Sequence, residues 1–436
     1  MKPEKDYDEI KLGLDLEDYR WTAKTCMGCA GCKWVDFIYV PGLDFSWRCP
    51  SWQYYQFDAH SGCGKCRIVT DLLNNRLDYS EPELQKVVYA CTMCESCDTG
   101  CKRILDIEPG MMTESLRARM VELGYGPMPQ HQKITDNIEK TKNRYGKPQA
   151  DRLKWLPKDV KPADKADTLY FVGCRASFVN NEIAQAAAHI MQAANERFMV
   201  MKDEPCCGYY VFTTGQVAKA RKIAEDNIKR IAETGAKRVV FSCAEGYRTV
   251  KVDYPKLLGK STSDLPFEVL HLTELIDPWI QEGRLKLTNR VDMAVTYHDA
   301  CNLGRMSEPW VHWEGKRVHW GILEPDRKFR RGTNGVYDQP RNILKAIPGI
   351  ELEEMLRHHE NAWCCGNGGG AKDAFPDFAK WTAGERLREV HATTGAEAIV
   401  AACPGCKENF NQSIKAAGDS LKAYDILELV AKAIGK

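Results

Sequence analysis

The sequence predicts an α/β protein with a helical N-terminal part, and three observations carry that reading. Ten cysteines crowd into the first 101 residues, and none follows until Cys174. From residue 168 onward, short apolar runs alternate with helical patterns, which implies strands of a parallel sheet with helices packed on it. That second region then repeats itself. The triplet Cys206-Cys207-Gly208 returns as Cys364-Cys365-Gly366, and a helix, a Gly-Ala step, a strand and a cysteine occur over 234–243 and again over 394–403.

Taken in order, a helix is predicted over 114–123. The stretch 126–167 is polar and holds Pro127, Pro129, Pro148, Pro157 and Pro162, so it reads as a linker. Residues 168–173 (TLYFVG) form a buried strand, 181–197 an Ala-rich helix, 216–234 a second helix and 238–242 (RVVFS) another strand. The repeat follows, with a strand at 291–297 before Cys301, a helix at 378–393 and a strand at 396–401 before Cys403. The expected domains are 1–125, a linker over 126–167, a first repeat over 168–290 and a second over 291–436.

The 436 residues are 44% hydrophobic and 28% charged, as in an ordinary globular chain, and the net charge of +1 gives no electrostatic case for nucleic acid. The opening MKPEKDYDEI lacks an apolar h-region, and no run approaches 18 apolar residues. The expectation is a cytoplasmic protein that meets a membrane only through partners. Nineteen clustered cysteines in a chain of this size point to metal or redox chemistry rather than disulfides.

Cys91, Cys94, Cys97 and Cys101 follow C-x2-C-x2-C-x3-C, the spacing of two-cluster ferredoxins, in which the fourth cysteine ligates the other cluster. Lys102 stands where proline is usual. Cys26, Cys29 and Cys32 repeat the x2 spacing, and their fourth member comes late, as Cys49 before Pro50. The crossed assignment puts Cys26, Cys29, Cys32 and Cys101 on one [4Fe–4S] cubane and Cys91, Cys94, Cys97 and Cys49 on another. Structural zinc prefers two separated pairs, so three thiolates within seven residues, given twice, favour iron–sulfur. Cys63 and Cys66 form a further C-x2-C that fits another cluster, a redox pair or two buried thiols. Nine aromatics fall within 34–57, read as packing around a cluster or as a partner interface.

Five more cysteines follow in the second repeat: Cys301, Cys364, Cys365, Cys403 and Cys406. They sit at strand ends or in adjoining loops, where open α/β sheets bind ligands. Adjacent thiolates suit two irons of one cluster better than a single tetrahedral ion, and the run 366–370 (GNGGG) permits close backbone approach. The first repeat offers Cys174, Cys206, Cys207 and Cys243, with Gly246 in place of a fifth cysteine, so a further cluster there stays open. His298, three residues before Cys301, reads as a hydrogen-bonded structural residue, with proton donation to a reduced thiolate as the alternative. The segment 306–335 lengthens the second repeat and carries Trp310, Trp313, Trp320 and the basic run 328–331. It reads as a surface loop, or as a docking loop or lid.

These motifs resemble the CCG domain of heterodisulfide reductase, with that enzyme's ferredoxin-like subunit fused in front. The steps Cys49-Pro50, Gly64-Lys65 and 89–91 and the segment 341–349 (RNILKAIPG) also look like the family. The resemblance covers about 20–120 and 165–436 and is closest to the fused D-type subunit. The K-type subunit of a sulfite-reduction complex and a benzoyl-CoA reductase-associated subunit are relatives of the same shape. The resemblance implies an alpha-helical two-cluster ferredoxin domain followed by a two-fold repeated CCG α/β domain. It also implies a noncubane [4Fe–4S] cluster on Cys301, Cys364, Cys365, Cys403 and Cys406. The function implied is an electron-transfer subunit of an oxidoreductase complex, with a flavin- or quinone-linked donor, a reductase acceptor and a disulfide or thiol as possible substrate. The alternatives are a pure electron relay and a zinc-stabilised scaffold.

Overall fold

The structure, a computed structural model, describes residues 9–11, 13–318 and 321–436. The first eight residues, which make up most of the opening segment read above, and Trp320 lie outside the described residues.

Two four-stranded parallel sheets form the C-terminal two thirds. The first runs Phe198–Met199, Thr168–Phe171, Arg238–Phe241, Glu268–His271, and the second runs Ile350–Glu353, Met293–His298, Ala398–Ala401, Lys422–Asp425. Both follow one order, in which the second strand in sequence pairs with the first, then come the third and fourth. The repeat read from the cysteines is therefore a repeat of topology. In each sheet the strand order reverses beside the first strand, a switch point where such sheets open a crevice at their carboxyl ends. The strands flanking this point are almost wholly apolar: Leu169, Tyr170, Phe171, Val239, Val240 and Phe241 are at most 1% exposed, as are Ala398, Ile399, Val400 and Ala401. One apolar core runs beneath both sheets.

The N-terminal part is helical, with helices Arg20–Thr25, Pro50–Tyr55, Gly62–Leu73, Pro82–Tyr89, Ser96–Cys101 and Pro109–Glu122. The stretch read as a linker is built into the fold. It carries the helix Pro129–Thr141 and buries Ile134, Ile138, Trp155 and Val160 in the core shared by the two sheets. Pro129 is the first residue of that helix, where a missing N–H costs nothing, so it starts structure rather than interrupting it.

The segment 306–335 is likewise not a plain surface loop. Trp310 and Trp313 are buried in the N-terminal core, Gly315–Arg317 pairs antiparallel with Glu9–Ile10, and Arg327 is bidentate to buried Glu108. It straps the second repeat to the N-terminal helices.

One guanidinium joins all three regions. Arg117, fully buried on Pro109–Glu122, donates to the carbonyls of Val88 at 3.0 Å, Cys91 at 2.8 Å, Thr213 at 2.8 Å and Gly369 at 2.6 Å. Arg117→Met keeps the apolar stem and orphans these acceptors. At about 1–3 kcal/mol for each of the four buried acceptors left unpaired, the loss is at least about 4 kcal/mol. It should be read as a lower urea midpoint of the anaerobically purified protein.

Candidate metal centres

All nineteen cysteines are free thiols in the structure, and most are buried. The two N-terminal x2-x2 loops have the same backbone. In 26–32 the left-handed residues are Gly28 (φ +75°) and Ala30 (φ +65°); in 91–97 they are Met93 (φ +51°) and Glu95 (φ +53°). Each loop thus turns left-handed on both sides of its middle cysteine, at about 1–2 kcal/mol for each non-glycine residue. Such strain persists where the surroundings enforce it, typically at a ligand clamp.

The late fourth cysteine is explained by a helix start. Cys49 caps Pro50–Tyr55, its Sγ accepting the Trp52 N–H at 3.5 Å, with Pro50 as the first helical residue. A helix N-terminus favours a thiolate. Cys49 and Cys97 both stand within electrostatic reach of Cys91 and Cys94, and Cys101 within reach of Cys26 and Cys29. Cys32 stands within reach of Cys63 and of Cys49.

The structure also brings Cys63 and Cys66 onto the first set. They lie one turn apart on Gly62–Leu73; the Cys63 N–H donates to Cys32 Sγ at 3.3 Å, and the Cys66 thiol is hydrogen-bonded to that of Cys26. Gly62 is wedged between the sets, since a Cβ there would lie 3.1 Å from the Cβ atoms of both Cys32 and Cys97.

In the second repeat all five cysteines converge. Cys364 lies beside Cys301 and Cys365, and Cys406 beside Cys365 and Cys403. Cys403 caps Pro404–Ala417, and Cys406 occupies its first turn. The Cys364-Cys365 corner is made by Gly366 (φ +87°), whose N–H donates to Cys364 Sγ at 3.3 Å, while Asn409 Nδ2 holds the Cys365 carbonyl at 2.6 Å. The first repeat repeats the glycine turn, with Gly208 (φ +82°) donating to Cys206 Sγ at 3.4 Å, but there Asn227 holds the first carbonyl, Cys206, at 3.0 Å and Tyr254 the second, Cys207, at 2.8 Å.

There the likeness ends. Cys174, Cys206 and Cys207 form one group, but Cys243, grouped with them from sequence, turns its thiol to Cys403 of the second repeat. Gly246 does occupy the fifth-cysteine position: a Cβ there would be 4.0 Å from Cys207 Sγ and 3.1 Å from the Phe241 ring.

The second N-terminal set abuts the C-terminal one. Cys94 lies against Cys364, and Cys94, Cys301, Met306 and Cys364 form one buried cluster. The glycine run makes this approach possible. A Cβ on Gly368 would lie 2.6 Å from the Thr92 carbonyl oxygen, and one on Gly369 2.8 Å from Met93 Cγ.

His298 ends its strand with its ring against Phe410 and a ring nitrogen within 4.8 Å of the sulfur atoms of Cys365 and Cys406. Burial holds the imidazole well below its ordinary range, at about 3. The hydrogen-bonded structural role expected from sequence is not what the structure shows, because both ring nitrogens lack a partner among the described residues.

The donor chemistry fits thiolate-bound metal. Every set is sulfur, the soft donor that selects iron–sulfur clusters or zinc, and a contiguous five-thiol set exceeds what one tetrahedral ion takes. The electrostatics fit as well. Arg48, Arg117 and Arg305 are 2%, 0% and 3% exposed, and none is paired with a carboxylate among the described residues. Burial opposes the charge of each, and the groups favouring it include Cys97 and Cys32 for Arg48, Cys91 for Arg117, and Cys94 and Cys301 for Arg305. Three buried cations around these sets match an anionic cluster. Sequence spacing could not find them, for apart from Asn361 Oδ1, which accepts from Arg48, their partners are backbone carbonyls.

Two segments of the chain, 168–251 and 327–411, match the cysteine-rich domain named CCG. The chain is 33% identical to the D-type subunit of the dihydromethanophenazine:CoB–CoM heterodisulfide reductase of Methanosarcina barkeri, over 94% of this chain and 93% of that protein. It is 34% identical to the corresponding protein of Methanosarcina acetivorans, over 94% of each. The EtfAB:quinone oxidoreductase of Syntrophomonas wolfei is 27% identical over 80% of this chain and 47% of that larger protein.

Gly369→Ala forces a side chain into the left-handed region against Met93 and the Thr92 backbone. It should lower the melting temperature, at about 1–2 kcal/mol for the backbone alone. Gly384→Ala, in mid-helix with its nearest neighbour at 3.5 Å, should leave it unchanged or raise it.

Proposed function

The chain belongs to the family of the D-type heterodisulfide reductase subunits, and on that premise we propose that this iron–sulfur redox protein holds three clusters in series. Cys26, Cys29, Cys32 and Cys101 hold one cubane and Cys91, Cys94, Cys97 and Cys49 a second, in a domain of the two-cluster ferredoxin type. Cys301, Cys364, Cys365, Cys403 and Cys406 hold a noncubane cluster. The observation that carries this reading is the contact of Cys94 with Cys364, which joins the N-terminal sets to the C-terminal one without intervening protein.

Bound at these sets, the clusters would supply one-electron storage and transfer and, at the C-terminal set, redox chemistry on a disulfide or thiol. The chain's own residues hold the sulfur atoms, exclude water and balance charge. Arg305 supplies positive charge at the junction and braces its backbone, donating to the Cys94 carbonyl at 2.7 Å and to those of Glu360 and Ala362 at 2.7 and 2.8 Å. Among the described residues no helix is long and apolar enough to cross a membrane. The redox partners we propose are a flavin- or quinone-linked donor and a reductase acceptor.

A second reading, a pure relay with no substrate of its own, is favoured by one observation: no cysteine of the C-terminal set is more than 8% exposed. Turnover of a small disulfide by the isolated, chemically reduced protein separates the two.

Anaerobically purified protein should contain about twelve irons with matching sulfide. Cys365→Ser should lose about four of them, stop electron delivery and leave the two cubane signals in place. Zinc alone, or a variant that keeps all its iron and activity, would refute the assignment.

A further inference from the structure

We propose that His298 is a sixth protein group at the C-terminal centre, donating an imidazole N–H hydrogen bond to a sulfur of the cluster held beside Cys365 and Cys406. The inference rests on the cluster reading above and adds a residue that no cysteine motif contains.

His298 is 1% exposed, and neither ring nitrogen has a hydrogen-bond partner among the described residues. Imidazole carries at least one N–H in either neutral tautomer. Leaving such a group buried and unpaired forfeits its hydration, and native interiors rarely tolerate it. The sulfurs of Cys365 and Cys406 lie within 4.8 Å of the ring. Phe410 fixes the ring edge-on, at 4.9 Å between centroids and 85° between planes.

The two-fold repeat supplies an internal control. The first-sheet counterpart of His298 is Phe171, likewise three residues before its cysteine and likewise at the end of the first strand. Phe171 packs on Phe241 at 5.2 Å, and Phe241 lies against Gly246, which stands where the second repeat has Cys406. The half without the fifth thiol fills this corner with two phenyl rings; the half with it places an imidazole there. The neighbouring charged groups have other partners: Asp299 is bidentate with Arg341, and Arg386 is paired with Glu389. They leave the ring free to face the sulfurs.

Hydrogen bonds to cluster sulfur stabilise the more negative, reduced state and raise the potential. The test uses His298→Phe, the residue of the first repeat, and His298→Gln, which keeps an N–H donor, in anaerobically purified full-length protein. Iron content, the midpoint potential of each centre in an EPR-monitored titration, and the coupling to nitrogen-15-labelled histidine in the wild-type protein are measured. The Phe variant should keep its iron and show a more negative potential at the C-terminal centre alone, the Gln variant should move back toward wild type, and the nitrogen coupling should be weak. An unchanged potential in His298→Phe overturns the proposal. So does loss of C-terminal iron together with strong nitrogen coupling, which would make His298 a ligand. Wild-type protein without iron at this centre would show in the metal analysis alone and would overturn the cluster reading as well.

Discussion

The architecture depends on burying positive charge beside sulfur. Most deeply buried arginines of this chain face a carboxylate: Arg152 faces Glu204, Arg248 faces Asp253, Arg341 faces Asp299 and Arg357 faces Glu389. Arg48, Arg117 and Arg305 break that rule, and their guanidiniums are spent on carbonyls around the cysteine loops. Arg48 donates to the Trp34 and Ser96 carbonyls, Arg117 to that of Cys91 and Arg305 to that of Cys94. A buried unpaired charge is among the costliest features a fold can hold. The same three residues also span the regions, since Arg117 reaches Gly369, Arg305 reaches Cys94 and Arg48 reaches Asn361. Docking of the helical part on the repeats is thereby tied to negative charge on the thiolates.

The same docking accounts for the asymmetry of the repeat. After the Cys-Cys-Gly corner the first half continues with Tyr209 and Tyr210, both buried, whereas the second half continues through 367–370 with three more glycines. The loop carrying Cys91 and Cys94 lies on that run, close enough that side chains at Gly368 and Gly369 would meet its backbone. Both halves touch the N-terminal part, but the Cys91–Cys94 loop lies on the glycine run of the second half, which also carries the fifth cysteine. The other half has Gly246 at that position and fills the corner with Phe241.

Much of this was legible in the sequence because spacing and apolar runs are local. The central strands of both sheets were readable as buried runs, and the x2 spacing marked both left-handed cysteine loops. Phe198–Met199, Glu268–His271, Ile350–Glu353 and Lys422–Asp425 were not: they are the edge strands of the two sheets, and the last three carry charged residues that blur the pattern. Pro129 misled because proline breaks a helix interior but begins a helix well. The arginine clamps left no sequence signal. Arg117 and Gly369 are 252 positions apart, and a carbonyl acceptor is the same whatever the residue type. The turn of Cys243 toward Cys403 follows from how the two sheets face each other, which no single-repeat motif encodes.

Burial and charge differ among the three sets, and both are levers on redox potential. The first set keeps Cys29 exposed, and the same N-terminal segment exposes Met27, Phe37, Ile38 and Leu43. The middle set is partly buried and ringed by the three arginines, whose charge favours an added electron. The last set is buried throughout, so water screens its charge least. A centre deep in protein holds extra negative charge only if fixed cations or N–H donors replace the lost water. Arg305 serves both the middle and last sets from one position, favoured by Cys94 on one side and Cys301 on the other. The far side of the last set, at Cys365 and Cys406, has no such cation among the groups bonded to it, and there the chain places a neutral imidazole.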